Sequence, residues 1–374
     1  MRIGVPKEIK THEYRVGLTP DSVRELIHLG HDVYVQSMAG HEIGFTDDLY
    51  LSCGAEILST AEEVFAASEL IIKVKEPLPE EVALLTPKHT LFTYLHLAPA
   101  VSLTDQLLAS GATCIAYETV TDNHGRLPLL APMSEIAGRM AVQAGAHSLE
   151  MGSGGRGVLL AGSPGVPGAQ VLVLGGGVVG SNALRIAIGM GAQVTVMDRS
   201  MAKLRELDEL YGNQITTLYS TRTALDDQLP KADLVIGAVL VPGASAPKLI
   251  KRSHLESMKR RAVIVDVAID QGGCTETSRP TTHSEPSYVE DNIVHYCVTN
   301  MPGAVARTAT LALNNATLPF VLALAEKGIK KAILDDHHLL NGLNVYRGAL
   351  VAPEVAISQQ RSCEDRLRLL AKND

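Results

Sequence analysis

The stretch 171–180, VLVLGGGVVG, constrains this chain more than any other. Its apolar opening (Val171, Leu172, Val173, Leu174) is too short for a buried helix and β-branched enough for a strand, and it runs directly into glycines. Gly175, Gly177 and Gly180 fall in the GxGxxG spacing. In a strand–turn–helix unit the first glycine permits the tight turn, the second lets backbone approach a pyrophosphate, and the third lets helix pack on strand. A helix over 181–191 and a strand over 193–197 follow, and the strand leads into Asp198 at about the 20-residue offset of a ribose-binding acid. The competing reading, a tight turn in some other doubly wound fold, lacks a use for that acid.

The rest of the chain repeats the alternation. Strands are expected at 1–6, 31–36, 69–75, 90–96 and 113–116, with helices at 22–29 and 100–110 and a short helical stretch around Leu78–Leu85. A long helix follows Ser134, a plausible N-cap. The glycine-rich segment 152–168 reads as a loop or short hairpin. Beyond Asp198 the expected order is helix 203–211, strand 214–219, helix 223–229, strand 234–238, helix 253–258 and strand 262–266. From Arg307 to Gly328 runs an apolar helix with Pro319 inside it, where a kink is expected. The two long helices bracket the nucleotide-binding part, so the fold class is α/β: two doubly wound Rossmann-like domains with a cleft between them, the inner one inserted into the outer. Domain boundaries are set at 1–128 with 306–374 for a substrate domain and 129–305 for a nucleotide domain. A length of 374 residues suits two domains at roughly 150 residues each.

Composition excludes several classes. Acidic residues outnumber basic ones 41 to 33 and aromatic residues make up 4%, so neither the charge nor the stacking platforms for nucleic acid are present. Five scattered cysteines without a CxxC pair argue against a disulfide framework and a zinc site, and suit a reducing cytoplasm. No run of apolar residues reaches ~18, and Asn314 and Asn315 interrupt the longest, so no membrane partner is expected. The His337–His338 pair between acids reads as a solvated turn, and no metal is expected.

In open α/β sheets ligands bind beyond the carboxyl ends of strands. Lys75 closes IIKVK, His96 closes LFTYLH, and Asp270 follows VIVDVAI. A cation to polarise a carbonyl, an imidazole to exchange a proton near neutrality and a carboxylate together suit hydride transfer at a carbonyl or imine carbon. Arg15 adds a fork suited to a substrate carboxylate. Lys73 reads as a solvated neighbour of Lys75, and Glu118 as a substrate contact or a surface acid. Met133, Met140 and Met301 read as packing residues.

The blocks MRIGVPKEIKTHEYRVGLTP, IIKVKEPLPEE, TYLHLA, PMSEIAGRMA, GGRGVLLAGSPGV, VLVLGGGVVG, DVAIDQGG, TSRPTTHSEPSY and HYCVTNMPGAVARTAT run in order over nearly the whole chain. The chain thereby resembles the alanine dehydrogenase family, and more weakly the nucleotide-binding subunit of proton-pumping nicotinamide transhydrogenases. The resemblance implies a cytoplasmic hexamer that interconverts L-alanine with pyruvate and ammonium using NAD. It implies that Arg15 and Lys75 hold the substrate carboxylate and oxygen, that His96 is the acid/base, and that Asp270 positions or activates water and ammonia. It assigns NAD contacts to Ser134, Val178, Val179, Asp198, Lys203, Ser220, Val239, Leu240, Val267, Ala268, Ile269, Asp270, Arg279, Val298, Thr299, Asn300 and Met301. Closure of the two domains would exclude water from the imine. The chain departs from the family pattern at Ala306, where the family has proline, and at 151–153, which lacks an expected lysine. A hydride-passing subunit without its own substrate, and a dehydrogenase of a larger amino acid or a lysine-derived imine, stay open as alternatives.

Overall fold

The computed structural model describes residues 1–239 and 246–372, and the expected contact at Leu240 lies outside them. The chain divides into two compact units, Met1–Pro132 with Val305–Asp374, and Met133–Ala304. Strands are numbered along the chain.

The first unit holds β1 (Arg2–Val5), β2 (Asp32–Gln36), β3 (Glu56–Leu58), β4 (Leu70–Ile72), β5 (Thr90–Thr93), β6 (Thr113–Ala116), β14 (Leu343–Tyr346) and β15 (Ala349–Leu350). They form one sheet in the order β15-β14-β6-β5-β4-β1-β2-β3. The six strands from the N-terminal segment are parallel, and the two from the C-terminal segment add antiparallel at one edge. Every residue of β4, β5 and β6 is buried, whereas β2 alternates. A central parallel strand is covered on both faces and so carries a continuous apolar run. The strand order reverses between β1 and β4, the position at which such sheets open a crevice for ligands.

The second unit holds β7 (Gln170–Leu174), β8 (Gln193–Asp198), β9 (Ile215–Tyr219), β10 (Leu234–Gly237), β11 (Val263–Asp266), β12 (Ser287–Glu290) and β13 (Ile293–Tyr296). Their order is β12-β13-β11-β10-β7-β8-β9, with only β12 antiparallel among them. Without that edge strand this is the 3-2-1-4-5-6 order of a dinucleotide-binding sheet. Its switch point lies between β7 and β10.

Several expectations shift. The strands expected to close on Lys75 and His96 end at Ile72 and Thr93, so both residues lie just beyond the sheet. Ser134 is not an N-cap: the helix begins earlier, at Ala131, and runs to Ser148 with Ser134 inside its first turns. His337 opens a helix, His337–Gly342, whose N-cap Asp336 accepts from the backbone of His338 and Leu339. His337 is exposed, whereas His338 is half-buried and its ring nitrogens meet Thr121 Oγ1 at 2.9 Å and Asn123 Oδ1 at 2.8 Å. Ala306 is the first residue of helix Ala306–Lys327, a position where proline is favoured elsewhere but where alanine also starts a helix.

That helix runs on through Pro319, and by length and composition it is apolar enough to cross a membrane. Its buried face includes Thr310, Asn314 and Thr317. Asn314 accepts from the Thr19 backbone at 2.8 Å and donates to the Gly17 carbonyl at 3.0 Å, and Thr310 accepts from Val16 at 3.3 Å. The asparagine that interrupts the apolar pattern therefore satisfies the backbone of the loop that carries Arg15.

Candidate active site

In the first unit, the segments leaving β1, β4 and β5 carry the candidate substrate residues. The loop after β1 brings Glu8, Glu13 and Arg15, all buried. Arg15 Nε and Nη2 donate to Glu13 Oε1 and Oε2 at 2.7 and 2.6 Å. Burial works against the guanidinium charge, but the bonds from Glu13 outweigh it and raise the Arg15 pKa further. The side-on fork expected to grip a substrate carboxylate is thus occupied by Glu13, which fixes the plane of the guanidinium.

Beyond β4, the chain continues through Lys73, Val74, Lys75 and Glu76. Lys73 is no solvated neighbour: it is fully buried and bonds Glu8 Oε2 at 3.1 Å and Glu81 Oε1 at 2.5 Å. Lys75 is half-buried, with its N–H directed to Glu8 Oε1 at 3.3 Å and its carbonyl accepting from Thr93 Oγ1 at 3.0 Å. Glu76 pairs with Lys10 and lies 3.4 Å from His96 Nδ1. Burial alone would raise the Glu76 pKa, but its bonds to His96 and Lys10 and the charge of Lys75 hold it far below the ordinary carboxylate range.

Beyond β5, Tyr94 is buried, its hydroxyl donating to the Leu129 carbonyl at 2.6 Å, and burial holds the phenol above its ordinary pKa. The His96 ring stacks on Tyr94 with centroids 5.7 Å apart. Its backbone adopts φ +49°, uncommon for a residue with a Cβ. Glu118, in the turn after β6, accepts the His96 N–H at 2.6 Å and the Leu95 N–H at 3.2 Å. Arg15, Lys75 and His96 are in this way carried by the segments that leave the carboxyl ends of three adjacent strands of one sheet.

In the second unit the glycine-rich turn has the geometry that a dinucleotide needs. Gly175 has φ +99°, and a Cβ there would stand 2.7 Å from the Ala238 carbonyl oxygen. A Cβ at Gly180 would fall 1.8 Å from the Gly175 carbonyl oxygen, so helix packs on strand only with glycine at that position. Gly177, the N-cap of helix Val178–Gly189, faces open space. The backbone N–H groups of that first turn are available to a phosphate.

Asp198, the last residue of β8, accepts the Gly176 N–H on Oδ2 and the Ser200 N–H on Oδ1, each at 2.7 Å. Each carboxylate oxygen retains a lone pair for a ribose hydroxyl. Ser220 follows β9 and is tied by its N–H to the Asp198 carbonyl at 2.9 Å. Val239 follows β10, and Val267, Ala268, Ile269 and Asp270 form the 3-10 turn after β11, with Asp270 exposed. Val298, Thr299, Asn300 and Met301 follow β13, and His283 Nε2 bonds the Asn300 carbonyl at 2.8 Å. These segments share the carboxyl edge of the second sheet. Lys203 instead pairs with Glu206 at 2.5 Å, and Arg279 covers the Tyr288 ring at 4.0 Å. Ser134 is half-buried in its helix.

Sequence reasoning passed over Glu8, Glu13, Glu76, Tyr94 and Asp266. Asp266 ends β11 fully buried, and its Oδ2 accepts Cys274 N at 2.8 Å and Ser278 Oγ at 2.6 Å, which ties down the chain after Asp270. Position was the available signal, since Glu8 and Asp266 both stand at or just beyond carboxyl ends of strands. Burial pushes the Cys297 thiol up to about 11 and the Cys114 thiol up to about 12.

Known proteins resemble this chain over nearly its whole length. The family model "Alanine dehydrogenase/PNT, N-terminal domain" matches residues 4–137, and "Alanine dehydrogenase/PNT, C-terminal domain" matches residues 141–353. Alanine dehydrogenase of Halomonas elongata is 61% identical over 356 residues, 95% of this chain and 96% of that one. Alanine dehydrogenase of Mycolicibacterium smegmatis is 51% identical over 371 residues, 99% of this chain and 100% of that one. A solved L-alanine dehydrogenase superposes with a TM-score of 0.94 at 51% identity, covering 96% of this chain and 99% of that one. A transhydrogenase from Sinorhizobium meliloti shares the fold, with a TM-score of 0.80 at 24% identity over 94% of this chain and 99% of that one. The chain belongs to the alanine dehydrogenase/PNT family.

Proposed function

We propose that this chain catalyses the reversible oxidative deamination of L-alanine to pyruvate and ammonium, with NAD as hydride acceptor. The observation that carries the reading is that Arg15, Lys75 and His96 lie in the segments that follow β1, β4 and β5, neighbouring strands at the reversal of the first sheet. A subunit that only passes hydride needs no such set.

The bound nicotinamide supplies one piece of chemistry, accepting hydride from Cα of alanine. The chain's own residues do the rest. Arg15, oriented by Glu13, and Lys75 neutralise the substrate carboxylate and polarise its oxygen. His96, with Nδ1 toward Glu76, takes the amine proton on Nε2 and returns it during carbinolamine collapse. Asp270 positions the water that adds to the imine carbon. Water then contributes the carbonyl oxygen, and the nitrogen leaves as ammonium. Asp198 receives the ribose hydroxyls, which favours NAD over its 2′-phosphorylated form. The remaining nucleotide contacts are Gly175, Gly177, Gly180, Val178, Val179, Ser134, Lys203, Ser220, Val239, Leu240, Val267, Ala268, Ile269, Asp270, Arg279, Val298, Thr299, Asn300 and Met301.

In this reading residues 1–128 and 306–374 bind substrate and 129–305 bind the nucleotide. The protein works as a homo-oligomer, a hexamer, in the cytoplasm. Its five free cysteines suit that reducing compartment. Light scattering on the purified protein tests the hexamer. Formation of reduced nucleotide from a panel of L-amino acids with NAD and with NADP tests the activity. Alanine with NAD should dominate; turnover only with larger amino acids, or hydride exchange between nucleotides alone, would overturn the reading.

A further inference from the structure

The first unit contains a charged cluster that the reaction as written does not use. Lys73, Glu8 and Glu81 have side-chain exposures of 0%, 2% and 4%, so one cation and two carboxylates are withdrawn from water together. Burial raises the Glu8 pKa, with Lys73 acting in the opposite direction. A cluster kept only to hold the fold has neutral, well-packed substitutes that are often as stable. Its bonds to backbone show a more specific use.

Past Ile72 the chain stays registered to the β5 side, where the Lys73 N–H reaches the Phe92 carbonyl and the Tyr94 N–H reaches the Val74 carbonyl, each at 3.2 Å. On the other side β1 has ended at Val5. Its place is taken by a side chain: Glu8 Oε1 accepts the Val74 N–H at 2.6 Å and the Lys75 N–H at 3.3 Å, while Oε2 is held by Lys73. The Lys75 peptide is thus fixed from both sides, by Glu8 at its N–H and by Thr93 at its carbonyl. We propose that Glu8, anchored by Lys73, is a positioning residue that sets the backbone from which Lys75 presents its ammonium to the substrate. This rests on the assignment of Lys75 to substrate binding. Glu81 plays a different part, holding Lys73 and accepting the Leu78 N–H at 2.8 Å.

Glu8→Gln separates positioning from bulk stability. The shape is kept, but an amide has one acceptor oxygen and cannot serve both Lys73 and the two N–H groups. The KM for pyruvate should rise about tenfold while the Kd for NADH is unchanged, because only substrate binding is misaligned. Glu81→Gln removes the other carboxylate and leaves the Glu8 bonds in place, so its KM should stay within about twofold of the parent. Should Glu8→Gln fail to fold, Glu8→Asp, which keeps the charge but is one methylene short of reaching both partners, should raise the KM in the same way. A lowered Tm with unchanged KM in the folded Glu8 variant would overturn the proposal. Lys75→Met, measured alongside, tells the two failures apart. A raised KM there with an unchanged KM at Glu8 sinks the positioning role alone, and an unchanged KM in Lys75→Met sinks the substrate assignment and the proposal with it.

Discussion

The carboxylate of Glu118 accepts the backbone N–H of His96 at 2.6 Å, and His96 sits at φ +49°. A left-handed conformation at a residue with a Cβ costs on the order of 1–3 kcal/mol and persists only where surroundings hold it. Hydrogen bonds to a charged acceptor contribute about 1.5–3 kcal/mol each, enough to offset that strain. The Leu95 N–H on the same carboxylate and the Tyr94 ring under the imidazole add to the hold.

Releasing the clamp should therefore act on chemistry more than on nucleotide binding. Glu118→Ala is expected to lower kcat by about tenfold or more, with the Kd for NADH unchanged and Glu118→Gln intermediate. His96→Ala gives the reference, a loss of ~10²–10⁴ in kcat if it is the acid/base. Steady-state kinetics of the three variants check this, and a Glu118→Ala enzyme with parental kcat would remove Glu118 from the site.

Arg15→Lys should not behave as a conservative change. An ammonium cannot reproduce the two-point contact with Glu13, which keeps the guanidinium in one plane. The KM for pyruvate is expected to rise roughly tenfold, about 1.4 kcal/mol of binding. Stability should fall as well, by ~1–3 kcal/mol, because Glu13 is buried and loses a partner. Kinetics and denaturant unfolding measure the two effects separately, and an unchanged KM would place Arg15 outside substrate binding.

Much of the fold was legible because central parallel strands are continuous apolar runs, and those of β7, β10 and β11 stand out between turn residues. The carboxyl ends of β4, β5 and β8 pointed to Lys75, His96 and Asp198. The charged supports were not legible, for a physical reason. Whether Lys73 is solvated or buried depends on Glu8, 65 residues away, and no local pattern encodes that pairing. Positive φ at His96 is likewise held by Glu118 from the turn after β6. Ser134 was misread because a good capping residue followed by an apolar face resembles a helix start even when the helix has already begun at Ala131.

Glu76 makes stability depend on acid. Its pKa is depressed in the folded protein, the bonds to His96 and Lys10 and the charge of Lys75 outweighing burial. A carboxyl depressed on folding contributes stability that is full above its unfolded pKa of about 4.3 and is lost as pH falls toward the folded value. Between pH 5 and pH 3 the parent should therefore lose more unfolding free energy than Glu76→Gln. Urea titrations at the two pH values test the difference, and parallel losses in parent and variant would show that Glu76 is not linked to folding.

Cofactor choice rests on Asp198. Its carboxylate sits at the end of β8, held by Gly176 and Ser200, where it can accept from a ribose 2′-hydroxyl and repel a 2′-phosphate. The neighbouring Arg199 is exposed, and an arginine at this position is what a phosphate would use. Because Asp198 also anchors the glycine-rich turn, Asp198→Ala should reduce kcat/KM with NAD by more than the lost ribose contact alone, so the ratio between cofactors is the discriminating quantity. That ratio should move toward NADP by on the order of 10²-fold, ~2.7 kcal/mol, as repulsion disappears and Arg199 engages the phosphate. Adding Arg199→Ala should remove much of the shift, since the phosphate then meets no cation. If the parent already uses both cofactors equally, or if Asp198→Ala leaves the ratio unmoved, Asp198 serves only as an anchor for the turn and the ribose binds elsewhere.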